Sequence, residues 1–202
     1  MINITSELLN NATIQRFIQE TPERFNDVIE KSVNRAAQKA AQLAKKLTPT
    51  EWGVKKEFVK DSKVTRADKR RGYLDARVSL GGLRTPLIRF EGVSPRTPMT
   101  GKTSGGVSVM LAGTQQRFKH AFIAQTKSGL GVFERLVDSS GKTKKTSSGK
   151  DKLRQLSTTT AAKMAKSDKT NISEKITPEV QGTFEKSFVS EAATWLNVLG
   201  AK

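Results

Sequence analysis

From Phe25 to Leu47 the apolar residues fall at steps of three and four: Phe25, Val28, Ile29, Val33, Ala36, Ala37, Ala40, Leu43, Ala44 and Leu47. Such spacing marks one buried stripe along a long helix. Thr21-Pro22-Glu23 supplies the start. Threonine caps well, proline is tolerated at the first helical position, and an acid there suits the helix dipole. Thr48-Pro49 predicts an end at Leu47, because the residue before a proline is pushed out of the helical region. The alanine-rich half, AAQKAAQLAKK, leaves room for close approach by another backbone, in the core or in a neighbouring subunit. Upstream, Ile4, Leu8, Leu9, Ile14, Phe17 and Ile18 predict a short helix, so residues 1–47 read as the N-terminal helices.

The same start chemistry recurs at Thr177-Pro178-Glu179. Val180, Phe184, Phe188, Ala192, Trp195, Leu196 and Leu199 follow at helical spacing, which predicts a C-terminal helix over 177–200. Docking on the chain's own sheet is the expected use of this aromatic stripe. Contact with a neighbouring subunit through Phe184, Phe188, Trp195 and Leu199 is the alternative.

Between the helices the texture changes. Residues 54–72 predict a basic helix (54–63) and a polar basic loop (63–72). Residues 73–137 form the β region: YLDARVSL (73–80), TPLIRF (85–90) and VSVMLAG (107–113) are short, β-rich and set off by Gly and Pro. An exposed loop is expected over 91–106. KHAFIAQT (119–126) and GVFERLV (131–137) flank a glycine-containing turn and predict a β-hairpin. Residues 138–171 are Ser/Thr/Lys-rich, with Leu153, Leu156 and Met164 as almost the only sizeable apolar groups, and predict a flexible basic insertion or one ordered only by partners. The expected fold is α+β in a single domain over 1–202: a small, mostly antiparallel sheet with long N- and C-terminal helices packed on it.

Charge narrows the function. Lys and Arg number 36 against 19 Asp and Glu, a net +17, which attracts polyanions and acidic partners. The basic loop is either a solvated surface or an arm facing DNA or an acidic ring. Lys55, Lys56, Lys60, Lys63, Arg66, Lys69, Arg70 and Arg71 are the candidate contact residues. No recognisable nucleic-acid reading module accompanies them, so any such binding is backbone-type and sequence-independent. The chain has no cysteine, which excludes disulfides, thiolate nucleophiles and Cys-based metal sites. No apolar run reaches the length of a membrane span and no secretory signal opens the chain, so a soluble protein made in the cytosol is expected.

Motifs that could carry chemistry are incomplete. TGKTSGG matches part of the phosphate-loop pattern at Gly101, Lys102 and Thr103, but the first glycine would fall at Arg96 and no apolar strand leads in. His120 is the one histidine; beside Phe118 and Phe122 it reads as a structural residue of a strand. No metal cluster or paired-carboxylate pattern surrounds it. No enzyme activity, catalytic residue, metal or cofactor is expected.

The order of pieces resembles the minor tail protein Z family of tailed bacteriophages: an Ala-rich helix, a basic stretch, short strands, the hairpin and a terminal helix. The most specific local match is Ala121-Phe122-Ile123-Ala124-Gln125-Thr126-Lys127-Ser128-Gly129, then Val132-Phe133-Glu134-Arg135, similar to the family's A-F-I-x-x-x-K-x-G and an apolar strand closing on Arg. Val33-Asn34-Arg35-Ala36, Lys55-Lys56-Glu57-Phe58-Val59-Lys60 and Gly105-Gly106-Val107-Ser108-Val109 add to it, and the likeness runs from about residue 25 to 190. The insertion at 138–171 departs from the family pattern. The resemblance implies a virion protein of the neck or upper tail, acting in tail completion and head–tail joining. It implies copies in a ring, sixfold like the tail tube, assembled in the host cytoplasm. The partners implied are a tail terminator, the tail tube and the head–tail connector. DNA on the ring axis or an acidic neighbouring ring would face the basic surface. The other class of function left by the residues is a free-standing, sequence-independent nucleic-acid-binding protein.

Overall fold

A computed structural model of the chain describes residues 6–56, 62–81, 84–95, 106–127 and 129–200. In chain order its elements are α1 (Ser6–Leu9), α2 (Ala12–Glu20), α3 (Phe25–Trp52), β1 (Ser62–Thr65), β2 (Arg77–Leu80), β3 (Arg84–Pro86), β4 (Ser94–Pro95), β5 (Val107–Leu111), β6 (Thr114–Phe118), β7 (Ala121–Thr126), β8 (Gly129–Arg135), β9 (Leu153–Gln155), β10 (Ser157–Thr160), α4 (Ala161–Ala165) and α5 (Ile172–Gly200). The fold is α+β, and every strand pairing among the described residues is antiparallel. Where length suggests one domain over 1–202, the chain forms two compact units. The first lies within 1–46, 61–80 and 171–202, and the second within 47–60 and 81–170.

In the first unit the helices bury their stripes on one another. Leu8, Ile14 and Phe17 from α1 and α2, Val28 and Ala36 from α3, and Val180, Phe184, Phe188, Ala192 and Leu196 from α5 form one apolar cluster. Phe25 meets Phe188 edge-on with ring centroids 5.8 Å apart, a geometry aromatic quadrupoles favour. The helix expected over 4–19 breaks into α1 and α2 because Asn11 caps the second piece, accepting from the Thr13 N–H at 3.0 Å. Ile4 lies outside the described residues.

Polar contacts fix the register of α3 on α5. The buried Glu191 carboxylate accepts from Lys31 at 3.0 Å and Arg35 at 2.7 Å. Arg35 also donates to Ser187 Oγ at 3.1 Å. The α5 helix starts at Ile172, upstream of the expected Pro178. Ile172 is fully buried and Ile176 packs on the core, so burial extends the helix past a proline that removes one backbone bond.

The same unit holds the two-stranded sheet of β1 and β2, in register from Ser62↔Leu80 to Thr65↔Arg77. The loop between them is clamped to α3 by Asn34. Its side-chain amide donates to the Ala67 carbonyl at 3.1 Å, and its oxygen accepts from the Ala67 N–H at 2.8 Å. Ala67 is buried, so Asn34→Ala strands both backbone groups. A loss of about 1–3 kcal/mol is expected, measurable as a lower urea midpoint. An unchanged midpoint would show that the clamp contributes nothing.

The second unit opens on the last turns of α3. The local stop signal at Leu47 is overridden, and the helix runs through Pro49 to Trp52. Trp52 explains the extension: it is buried and its indole N–H donates to the Met164 carbonyl at 3.1 Å. Three small sheets follow, ordered β4-β5-β6, β7-β8-β9 and β10-β3. Val107, Val109 and Leu111 face inward at alternate positions of β5. The expected hairpin is present as β7 and β8, with Phe122↔Phe133 and Ile123↔Val132 in register and closure at Thr126↔Gly129.

Several expected elements differ. Val54 pairs with Phe90 as a β-bridge and β1 begins at Ser62, so the two ends of the basic helix expected over 54–63 are extended instead; the middle of that helix, residues 57–61, lies outside the described residues. TPLIRF is a strand only to Pro86, then one 3-10 turn over Leu87–Arg89 that buries Leu87. Of the loop expected over 91–106, Ser94–Pro95 pairs with β5, and residues 96–105 are not described. Residues 138–171 are the largest correction. They fold as two tight hairpin turns, β9, β10 and α4. Backbone bonding holds them together with a few buried groups, Ala161 and Met164 among them.

Candidate polyanion-binding surfaces

The candidate contact residues are divided between the two units. Lys55 and Lys56 are exposed in the second unit, Lys60 lies outside the described residues, and the other five stand in the first. There, Asp68 caps a 3-10 turn over Lys69–Arg71 by accepting from the Arg70 N–H at 3.0 Å. Two of the three cations in that turn are neutralised. Lys69 pairs with Asp27 of α3, and Arg71 with Asp68 at 3.3 Å. Lys63, Arg66 and Arg70 are exposed and make no ion pair with a described residue.

Asp27 ties this turn to α3. The Lys69 ammonium, with Arg24 adding to it, holds its carboxyl below the ordinary value of 3.8 despite partial burial. A carboxylate with a depressed pKa stabilises the fold above its unfolded pKa and loses that effect as pH falls through the folded value. Wild type should therefore exceed Asp27→Asn in urea midpoint near neutral pH. The gap should close as the pH drops below about 3.8. A gap that persists in acid would assign the stabilisation to another group.

A second basic surface lies in the segment expected to be a flexible insertion. Residues 137–144 read VDSSGKTK and residues 145–152 read KTSSGKDK, an eight-residue repeat. Each copy is a hairpin. Val137 bridges Thr143, and Lys145 bridges Asp151. The Asp138 N–H donates to the Lys142 carbonyl at 2.9 Å, and the Thr146 N–H to the Lys150 carbonyl at 2.8 Å. Gly141 and Gly149 sit at φ 80° and 75°, the left-handed position that three-residue hairpin loops assign to glycine. The sequence signal for this surface is the pair of SSGK runs at a spacing of eight.

Two carboxylates of this surface, Asp138 and Asp151, are held below their ordinary pKa range. The Ser140 hydroxyl and the Lys142 N–H hold Asp138 below its ordinary range, with Lys144 adding a smaller electrostatic contribution. Lys145 and Arg135 do the same for Asp151. Arg135 also stacks on the Phe122 ring at 4.8 Å, and Arg154 pairs with Glu134. Lys142, Lys144, Lys150 and Lys152 are exposed and make no ion pair with a described residue.

No family model, curated protein or solved structure matches the chain.

Phe184 and Phe188 are buried in the chain's own helical core. Trp195 is half-buried against that core beneath Arg24, whose guanidinium lies 4.7 Å from the ring centroid. The Leu199 side chain lies outside the described residues, as do Gly101, Lys102 and Thr103. His120 is exposed in the turn between β6 and β7, where a structural strand histidine was expected. Its neighbours Phe118 and Ala121 end one strand and begin the next. Among the described residues no helix is long and apolar enough to cross a membrane, and no group of acids and histidine could hold a metal.

Proposed function

We propose that this chain is a structural virion protein of a tailed bacteriophage, a ring subunit of the neck or upper tail that acts in tail completion and head–tail joining. The observation that carries the reading is the order of elements: the Ala-rich α3, a basic segment, short antiparallel strands, the β7–β8 hairpin and the terminal α5. The hairpin supports it most closely. Its Ala121-to-Gly129 and Val132-to-Arg135 segments are the ones that resemble the minor tail protein Z family. The role is assembly and includes no catalytic step or cofactor. Tail terminator, tail tube and head–tail connector are the proposed neighbours, with sixfold copies around the DNA axis. Antibody labelling of intact virions tests this directly. Label at the head-proximal end of the tail is expected; virions free of the chain would overturn the proposal.

A further inference from the structure

We propose that the paired hairpins over residues 136–152 are a binding device for the phosphate backbone of duplex DNA, with Lys142, Lys144, Lys150 and Lys152 as its charged contacts. The two copies are joined at their base by a closed triangle of backbone hydrogen bonds. The Lys144 N–H donates to the Leu136 carbonyl at 2.8 Å, the Lys152 N–H to the Lys144 carbonyl at 2.8 Å, and the Leu136 N–H to the Lys152 carbonyl at 2.9 Å. Lys144 and Lys152 are therefore equivalent partners at the base, each the last residue of one repeat. Lys142 and Lys150 are equivalent at the turns, each directly after its positive-φ glycine. A loop this polar gains its shape from the turn bonds and the triangle, so the lysines are carried on an ordered frame and not on a free arm.

Neutralisation within the hairpins is selective. Asp151 occupies Lys145 and Arg135, and Glu134 occupies Arg154. The four equivalent lysines form no ion pair with a described carboxylate. Four ammonium groups on two like hairpins suit a partner that repeats its negative charge at regular intervals.

The composition selects the kind of polyanion. Residues 138–152 contain no aromatic and no apolar side chain; the apolar groups of the device are Leu136 and the exposed Val137 at its base. A protein partner is ordinarily anchored by buried aromatic or aliphatic side chains, and lysine is depleted at such interfaces. Single-stranded nucleic acid is held by stacking bases on aromatic rings, which are absent here. Lysine ammonium groups with serine and threonine hydroxyls are the side chains that contact phosphates without reading sequence. The inference does not depend on the virion reading. Labelling could fail at the tail while duplex binding persists, and the reverse.

The test uses the full chain and a short, mixed-sequence DNA duplex, with affinity measured across a salt series. Each phosphate contact contributes about 0.9 to the slope of log K against log salt. Replacing all four lysines by glutamine should lower the slope by roughly 3 to 4 and weaken binding at least tenfold at low salt. The half variants, Lys142→Gln with Lys144→Gln and Lys150→Gln with Lys152→Gln, should each remove about half the slope change. These lysines are exposed, so circular dichroism should match wild type; should the fourfold variant misfold, the half variants carry the test. The control variant, Lys45→Gln with Lys169→Gln and Lys186→Gln, removes three exposed lysines outside the candidate contact residues and should keep most of the slope. The proposal is overturned if wild type does not bind the duplex or if the lysine variants bind as wild type does. Loss appearing only in the control variant, or tighter binding to polyglutamate than to the duplex, would also overturn it.

Discussion

Phe188→Ala is expected to cost about 3–5 kcal/mol and so to remove much or all of the stability of the helical unit. Phe188 is fully buried, its ring meets Phe25 edge-on, and Phe184 lies 5.7 Å away centroid to centroid. Deleting the ring takes away transfer free energy and leaves a cavity that neighbours on the packed helices cannot refill without shifting. Phe188→Leu keeps most of the volume and should cost clearly less. Urea unfolding followed by far-ultraviolet circular dichroism reads the change. An alanine variant with a wild-type midpoint would contradict the core described above.

Trp52 gives the second large effect, in the other unit. Trp52→Ala should cost about 3–5 kcal/mol through lost burial. Trp52→Phe separates out the hydrogen bond, because it retains a ring but leaves the Met164 carbonyl without its indole donor. The Met164 carbonyl keeps the Ser167 N–H at 3.2 Å, so about 0.5–1.5 kcal/mol is expected for that variant. Amide hydrogen exchange in β5, β7 and β8 should accelerate in both, and more in the alanine variant. Equal protection in wild type and Trp52→Ala would show that the end of α3 is not part of this unit's core.

The contrast between these residues shows what a sequence makes legible. Phe188 sits in a stripe with helical period, and such a stripe is readable because burial of one face dictates the spacing. The β7–β8 hairpin is readable for a similar reason, since two apolar runs around a glycine-bearing turn leave few other pairings. Trp52 is not readable. Thr48-Pro49 is a sound stop signal locally, and it is the burial of Trp52, with its bond to the distant Met164 carbonyl, that makes continuation worthwhile. Pro178 repeats the lesson, with Ile172 buried ahead of it. Proline in a helix interior costs a bond, but tertiary burial decides whether the helix tolerates the cost.

The basic residues are the least legible, because charge is visible in a sequence and neutralisation is not. Lys69 stands in a basic run, yet its ammonium belongs to Asp27 on a helix far earlier in the chain. Residues 138–171 look unfoldable when judged by large apolar groups alone. The order of their first half comes from turn chemistry, Asp138 or Thr146 at the entry and glycine at the left-handed position, repeated at a period of eight. Self-similarity at a fixed period is a structural signal even where hydrophobicity gives none, and the two SSGK runs carry it here.

Electron microscopy bears most directly on a structural role at the tail. Purified protein would be added to tails assembled without it, and the head-proximal ends imaged before and after. A ring of added density at that end, with recovery of head joining, is the expected result. Tail ends that stay bare, with joining unchanged, would contradict the role.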